Sequence, residues 1–416
     1  MDAAVTVLIL GILIFLGNIL SRFFAITKIP DVLFLMAIGI LIGPFLGLVT
    51  PEAFGVVGPL FTMVTLAIIL FEGGLHITLG ALRTAMKGTL AITVANFIVM
   101  TVICIVIMQY LAGFTVIESC LLGAILGGTS SAVVIPFTRY LNLNKDTRAI
   151  LALESAISDV LCIVVLLALI NFISLDEFNV GFLIGNLFAS FFVAIFIGVI
   201  AGVGWSLFYH RIASIKSIFI TPAFVFIVFG FVNLLGFSGA IAALALGVTL
   251  GNLNYFSVER ILPFVGEGGR QVELSPMETV FFAQLVSLLK TFFFIYIGIS
   301  IRFTYMEIFY MGAAITIAAY LARIAIVWLT IPRTIPKSDA SIIAVMEPKG
   351  LAAAVLAALP LQAGIAVGQG ILDIVFIVIF LSILVCSVMV FLLERTPFCR
   401  VYQRLFWSFG KGTPAP

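Results

Sequence analysis

The sequence predicts an all-α integral membrane protein of thirteen transmembrane helices, and three observations predict it. First, 63% of the 416 residues are hydrophobic and 10% are charged, with a mean hydropathy of +1.31. Soluble domains run nearer ~45–50% apolar and ~25% charged. Second, the apolar runs are long enough for helices of about 20 residues crossing a hydrocarbon core of about 30 Å. The period-2 alternation of a membrane barrel strand is absent. Third, basic residues crowd every second joint between those runs.

Breaking the chain at charged, Pro-rich or Gly-rich joints gives the elements in order. The first is 3–21; MDAAVTVLIL has no basic n-region or cleavage site, so it reads as a spanning helix and not a leader. Then come 30–49, 55–75, 88–112, 117–138, 149–173 and 180–208. The second half runs 217–235, 238–256, 278–300, 308–331, 340–363 and 369–393. Only Gly236–Phe237 separates 217–235 from 238–256, and merging them would leave twelve.

The basic residues decide between the two counts, because cytoplasmic loops carry the Lys/Arg excess. With the N-terminus outside, the inner joints hold Arg22 and Lys28; Arg83 and Lys87; Arg139, Lys145 and Arg148; Arg211 and Lys216. They continue with Arg260 and Arg270, then Arg333 and Lys337, and the tail adds Arg395, Arg400, Arg404 and Lys411. Of the 21 basic residues only Arg302 falls in an outer joint, where Glu52, Glu118, Asp176, Glu177 and Glu307 lie instead. Lys290, Arg323 and Lys349 sit in or beside apolar segments. Twelve helices would invert the second half and destroy this pattern. The expected topology is therefore N-terminus out and C-terminus in.

Composition also excludes function classes. A net charge of +2 gives no reason to expect a nucleic-acid partner, and the lipid bilayer is the expected surrounding. The five cysteines show no paired spacing and read as small core residues. His76 and His210 are the only histidines, too few for a histidine metal site. No phosphate-cradling GxxxxGK[ST] occurs, so no nucleotide or other cofactor is expected.

The stretch 127–160, GGTSSAVVIPFTRYLNLNKDTRAILALESAISDV, holds the densest polar chemistry. Thr129, Ser130 and Ser131 lie inside one apolar segment, Glu154 and Asp159 inside the next. Ionisable groups at membrane depth are costly and by default mark a substrate or proton pathway. GGTSS interrupts 117–138 and MEPKG interrupts 340–363, each followed by the last helix of its half. Paired interrupted helices in corresponding positions point to a midplane site in an inverted-repeat transporter. Pro348 lacks a backbone donor and Gly350 relaxes the chain, which gives the second break a mechanism.

Ser155 lies one helical turn before Asp159 on the same face. A carboxylate, a hydroxyl and the carbonyls freed by a broken neighbour suit a small, hard monovalent cation. Burial disfavours the charged carboxylate, so a proton competes with the cation for Asp159. The alternative use of Asp159 is a purely structural pairing with a buried base. Glu154, five residues back, faces elsewhere; Arg323 in AAYLARIAIVW is its natural partner, as a structural bridge or beside a bound ion. Thr129 and Ser130 offer hydroxyl or main-chain oxygens where irregular backbone lines a cavity, or simply close helix packing. Glu72, in LFEGGLHI, fits a funnel carboxylate, an outer member of the site, or an interfacial group snorkelling to water. Glu347, Lys290 and Lys349 need partners, and the two lysines suit buried carboxylates or helix C-termini.

ESAISD, preceded by GGTSSAVV and joined to LFEGGLHI, Arg323 and EPKGLAAAVLAALP, resembles the monovalent cation:proton antiporters of the NhaP/NHE type over essentially the whole chain. ESAISD is similar to the family's ESxxND, and PKGLAAAVLA to its RGAVSLALA. The resemblance implies a NhaA/NhaP-like fold with inverted repeats and two unwound, crossed helices. Helices 4–6 and 11–13, about 88–173 and 308–393, would form the ion-binding bundle. The remainder would form a dimerisation part, giving a homodimer with elevator-like alternating access. Asp159 would carry cation and proton, assisted by Ser155 and the backbone at Thr129, with Glu72 a further acidic member. Glu154 and Arg323 would be the structural ion pair, and Lys349 the charge of the second broken helix.

Two departures bear on selectivity. Ser158 stands where the family has Asn, and Thr129–Ser130–Ser131 where many members have TDP. A site with one carboxylate fewer would bind sodium more weakly or shift selectivity towards potassium, and the absence of an adjacent aspartate pair implies one-for-one exchange. The expectation is electroneutral Na⁺(Li⁺)/H⁺ antiport, with K⁺/H⁺ antiport or Kef-like K⁺ efflux as the alternative. The short tail after Arg395 speaks against a fused regulatory domain. An intramembrane enzyme using Glu154 and Asp159 as acid and base is the reading from another class, and a channel a third. No serine–histidine, metal or paired-aspartate arrangement supports the enzyme.

Overall fold

A computed structural model describes residues 11–12, 15, 31–51, 57–75, 77, 79–174, 180–212, 218–253, 276–302 and 306–410. In chain order the first helices are α1 (Asp31–Ile40, running into a π turn at Leu41–Phe45), α2 (Val57–Leu75), α3 (Leu79–Ala112), α4 (Val116–Leu126) and α5 (Ser131–Tyr140). Next come α6 (Lys145–Ser174), α7 (Val180–Ile212), α8 (Ile220–Leu234), α9 (Gly239–Gly251) and α10 (Pro276–Ser300). The last are α11 (Met306–Thr330), α12 (Lys337–Val345), α13 (Leu351–Gln362), α14 (Gly368–Arg395) and α15 (Phe398–Leu405). No strand occurs among the described residues. Among the described residues six helical stretches are long and apolar enough to cross a membrane, one of them (Val116–Ile135) running through the joint between α4 and α5, and six apolar stretches are shorter.

Each predicted segment from 30–49 onward falls on one or two of these helices; 3–21 lies outside the described residues except at 11, 12 and 15. The narrow joint at Gly236–Phe237 is a true helix boundary. Gly236 takes a left-handed conformation (φ +82°), and Ser238 caps α9 by accepting from the Ile241 N–H at 3.3 Å. Helix α3 begins at Leu79 and not at 88, because Arg83 and Lys87 are good helix formers that prolong the helix. The π turn at Leu41–Phe45 contains Pro44, whose missing N–H widens the hydrogen-bond ladder. A capping box starts α4: Thr115 Oγ1 accepts from the Glu118 N–H, and Glu118 accepts from the Thr115 N–H at 2.8 Å.

Both predicted interruptions are breaks in helices. Residues 127–130 separate α4 from α5, and residues 346–350 separate α12 from α13. The two breaks meet, since the Ser130 N–H donates to the Pro348 carbonyl at 2.7 Å. A side chain at Gly350 would collide with Ser130, so the contact requires glycine there.

The chain divides into two compact units. The first comprises Met1–Val57, Ala85–Ser174 and Lys290–Pro416, and holds both broken helices. In it α1 packs closely on the C-terminal half of α10, with Gly39 against Ile295 and Gly298 and Gly43 against Ile299. Small residues let membrane helices approach this closely. Lys290 on α10 meets Asp31 on α1 at 2.7 Å, the partner it requires. Asp339 on α12 accepts from the Asn144 N–H at 2.9 Å, fastening α12 to the loop between α5 and α6.

The second unit comprises Gly58–Thr84 and Leu175–Leu289. Its α9 contacts α7 through Gly198 and Gly202, and α2 through Gly74, Gly247 and Gly251. A β-carbon on Gly247 would run into the Phe71 carbonyl oxygen, which is backbone and cannot give way. Gly247→Leu is therefore expected to cost at least ~1–3 kcal/mol by overpacking. The check is the monodisperse fraction on size exclusion after detergent extraction, which should fall sharply against wild type.

Candidate functional site

The candidate site lies in the first unit, where the meeting breaks face α6. Breaking a helix leaves backbone N–H and C=O groups without intrahelical partners, and inside a bilayer they need protein partners. Ser158 on α6 supplies one. Its hydroxyl accepts from the Thr129 N–H at 3.1 Å and donates to the Ser155 carbonyl at 3.0 Å, pinning the first break onto α6. Lys349 supplies another, donating from Nζ to the Gly128 carbonyl at 3.0 Å. That places a cation at the C-terminal end of α4, where the helix dipole is negative. The Lys349 N–H in turn donates to Ser382 Oγ on α14 at 2.9 Å, and Tyr320 on α11 donates to the Ser382 carbonyl at 2.7 Å.

A chain of alternating charge runs beside the breaks. Arg323 on α11 forks onto Glu154 on α6, donating from Nη1 to Oε1 at 2.6 Å and from Nη2 to Oε2 at 2.7 Å. Its Nε lies 3.3 Å from Glu347 Oε2, and Glu347 Oε1 accepts from Lys349 Nζ at 2.5 Å. All four side chains are at most 2% exposed. Two carboxylates and two bases neutralise one another, the condition for retaining charge at this depth. Asn96 on α3 completes the network, donating to Glu347 Oε1 at 2.8 Å and to the Gly127 carbonyl at 3.4 Å.

Asp159 stands apart from this chain. It is 9% exposed, and a β-carbon placed on Gly128 would lie 3.5 Å from its Oδ1 and 3.1 Å from Cys162 Sγ. Among the described residues no hydrogen-bond donor or base is bonded to its carboxylate. The structural pairing open to Asp159 from sequence is thus not made. Ser130 Oγ is likewise buried without a hydrogen-bond partner among the described residues. Ser155 Oγ donates to the Ala152 carbonyl at 3.0 Å and keeps its lone pairs. The site therefore offers one unbonded carboxylate and one unbonded hydroxyl next to irregular backbone.

Asp159, Ser155, Ser158, Thr129 and Ser130 are thus brought together around the break, and Glu154, Arg323 and Lys349 form the adjoining network. Glu72 lies in the second unit, half-buried in the last turns of α2. Sequence reasoning passed over Asn96 and Asp373. The latter is 7% exposed on α14 and accepts from Gln369 Nε2 at 2.9 Å. A lone amide in LAITVANFIVM and a lone carboxylate in GILDIVF were the available signals. Asp31 was missed too, because it opens a helix and reads as an ordinary cap.

Known proteins resemble this chain in sequence and in fold. A family model described as sodium/hydrogen exchanger, transmembrane, matches residues 10–395. A K⁺/H⁺ antiporter, NhaP2 of Shewanella baltica, is 23% identical over 333 residues, 78% of this chain and 55% of that protein. This chain therefore spans about half the length of the Shewanella relatives it matches. Na⁺/H⁺ antiporter 1 of Methanocaldococcus jannaschii is 27% identical over 161 residues, 37% of each chain. The solved structure of the sodium proton antiporter MjNhaP1 from the same organism, at pH 8, superposes with a TM-score of 0.73 at 20% identity. The match covers 93% of this chain and all of that one.

Proposed function

This chain belongs to the sodium/hydrogen exchanger family, and on that premise we propose that it is a monovalent cation:proton antiporter in which Asp159 carries both ions in turn. The observation that carries the proposal is the unbonded carboxylate of Asp159 beside a broken helix, while the two buried carboxylates of the adjoining network are neutralised by bases. A carboxylate kept free of fixed partners can bind a cation, or be neutralised by a proton. Either loaded form is close to neutral and crosses; the empty, charged form does not. Ser155 and the backbone at Thr129 supply further oxygens, with Ser130 and Ser158 shaping their arrangement. Glu72 is proposed as a further acidic group serving the pathway.

Glu154, Arg323, Glu347, Lys349 and Asn96 hold the breaks in register and do not carry ions. In this reading residues 88–173 and 308–393 are the moving bundle and the remainder is the scaffold through which two copies dimerise; the bundle residues all fall within the first compact unit, which also holds Met1–Val57. The setting is the cytoplasmic membrane of a prokaryotic cell, with thirteen spans, the N-terminus outside and the C-terminus inside. No bound cofactor enters the cycle. The acid–base enzyme reading loses its footing because Glu154 is committed to Arg323.

One carboxylate for two ions predicts electroneutral exchange of one Na⁺ or Li⁺ for one H⁺. The test uses sealed vesicles holding the full chain, an imposed ΔpH, a pH-sensitive dye and added Na⁺, Li⁺, K⁺ or choline. Na⁺ or Li⁺ should dissipate ΔpH at a rate that an imposed valinomycin/K⁺ voltage leaves unchanged. Voltage-dependent rates would refute electroneutrality, and cation flux without proton movement would mean a channel. A second reading, K⁺/H⁺ exchange, is favoured by Ser130 in place of an acidic residue and by the K⁺/H⁺ antiporters among the relatives. It predicts that K⁺ alone dissipates ΔpH.

A further inference from the structure

The segment after α14 has a surface that ion exchange does not use. Pro397 cannot continue α14; Thr396 before it is extended, and the chain re-enters a helix at Phe398. Successive residues of α15 advance by about 100° around its axis, which sorts RTPFCRVYQRLFW into three stripes. Tyr402 and Phe406, one turn apart, form the docked stripe at 7% and 0% exposed. Val401 and Leu405, with Phe398, form an apolar stripe left 57%, 48% and 37% exposed, and Trp407 beyond the helix is 63% exposed. Arg400 and Arg404, again one turn apart, form an exposed basic stripe.

The docked stripe is firmly held. Phe409 is fully buried, and the Arg333 guanidinium lies 4.4 Å from the centre of its ring and 4.4 Å from that of Trp328. The Gly410 N–H donates to the Arg333 carbonyl at 2.9 Å. The apolar stripe is therefore exposed by a fixed geometry, not by a loose tail.

We propose that α15 and Trp407 lie in the headgroup region of the bilayer, with the apolar stripe among acyl chains and Arg400 and Arg404 on anionic phospholipid headgroups. Position and charge choose the occupant. Helix α14 is of membrane-spanning length, and α15 follows it after two residues, so α15 sits at the membrane surface. Arg395, Arg400 and Arg404 give the segment a positive charge, with Glu394 on the preceding turn the one nearby acid of this stretch. An exposed apolar stripe flanked by arginines is the signature of an interfacial helix on an anionic surface. The inference does not depend on the transport reading.

The test uses the full chain carrying Trp205→Phe and Trp328→Phe, which leaves Trp407 as the only one of three tryptophans. It is reconstituted with brominated phosphatidylcholine or brominated phosphatidylglycerol over the same series of mole fractions. Both should quench Trp407, the anionic lipid at lower mole fraction. Arg400→Gln and Arg404→Gln should each reduce the anionic preference about fivefold while neutral bromolipid still quenches. Equal quenching by both lipids in the parent would overturn the charge recognition. Loss of the preference on adding inorganic phosphate would reassign the arginines to a free anion. Quenching by acrylamide and not by bromolipid would place Trp407 in water, and protection from both would place it against a second copy; each outcome overturns the proposal.

Discussion

Asp159→Asn is expected to silence cation-driven dissipation of ΔpH, leaving the rate of protein-free vesicles, while the protein folds and melts as wild type does. Asparagine keeps the size of the side chain and loses the ability to bind a proton or balance a cation. It sits where the native carboxylate makes no bond to any described residue, so nothing structural is broken. The pair of readouts matters: loss of transport with loss of fold would say only that the variant is damaged. In the wild type, competition at one carboxylate fixes the sign of the pH dependence. Protonation removes the cation's site, so where the proton dominates, half-saturating cation concentration should rise about tenfold for each pH unit lowered. Asp159→Glu keeps the charge but moves it by a methylene, and should retain a slow, shifted activity. An asparagine variant that exchanges at the wild-type rate would remove Asp159 from the mechanism.

Arg323→Met should have the largest effect on stability. Arg323 is wholly buried, makes two hydrogen bonds to Glu154 and faces Glu347. Removing it leaves two buried carboxylates with Lys349 as their base in the network. Stranding a buried charge in this way costs about 3–5 kcal/mol, far more than the net worth of the pair itself. Thermal unfolding in detergent, followed by the monodisperse fraction after heating, reads the loss. Adding Glu154→Gln to Arg323→Met should recover part of it, because the stranded charge is then removed; the double-mutant cycle gives the coupling. Arg323→Lys should fall between, since an ammonium cannot make the two parallel bonds of a guanidinium. A methionine variant as stable as wild type would mean that Glu154 is held by other means.

Much of the architecture was legible because a bilayer imposes strong rules on sequence. The joint at Gly236 is an example: basic residues on alternate joints required a boundary there before any helix was seen, and the positive φ of Gly236 makes one. Pro348 and Gly350 announced the second break through the chemistry of the backbone itself. The first break had only glycines and hydroxyls to announce it, and its stability comes from elsewhere, through Ser158 on α6 and the carbonyl of Pro348. Helix α15 escaped notice because eight residues of mixed polarity carry no membrane-length signal.

By itself the sequence determined the all-helical membrane class, the joints, and which residues are too polar for where they lie. Each of these follows from local composition weighed against a hydrocarbon solvent. Only the tertiary structure decided how those polar residues are shared. Glu154, Glu347 and Asp159 are alike as buried acids in sequence, and nothing local says which of them finds a base. Packing α6, α11 and the two breaks together gives Arg323 to Glu154, shares Arg323 and Lys349 over Glu347, and leaves Asp159 unbonded. Pairing depends on distances between residues far apart in sequence, 251 positions for Asn96 and Glu347, and those distances exist only once the helices have packed.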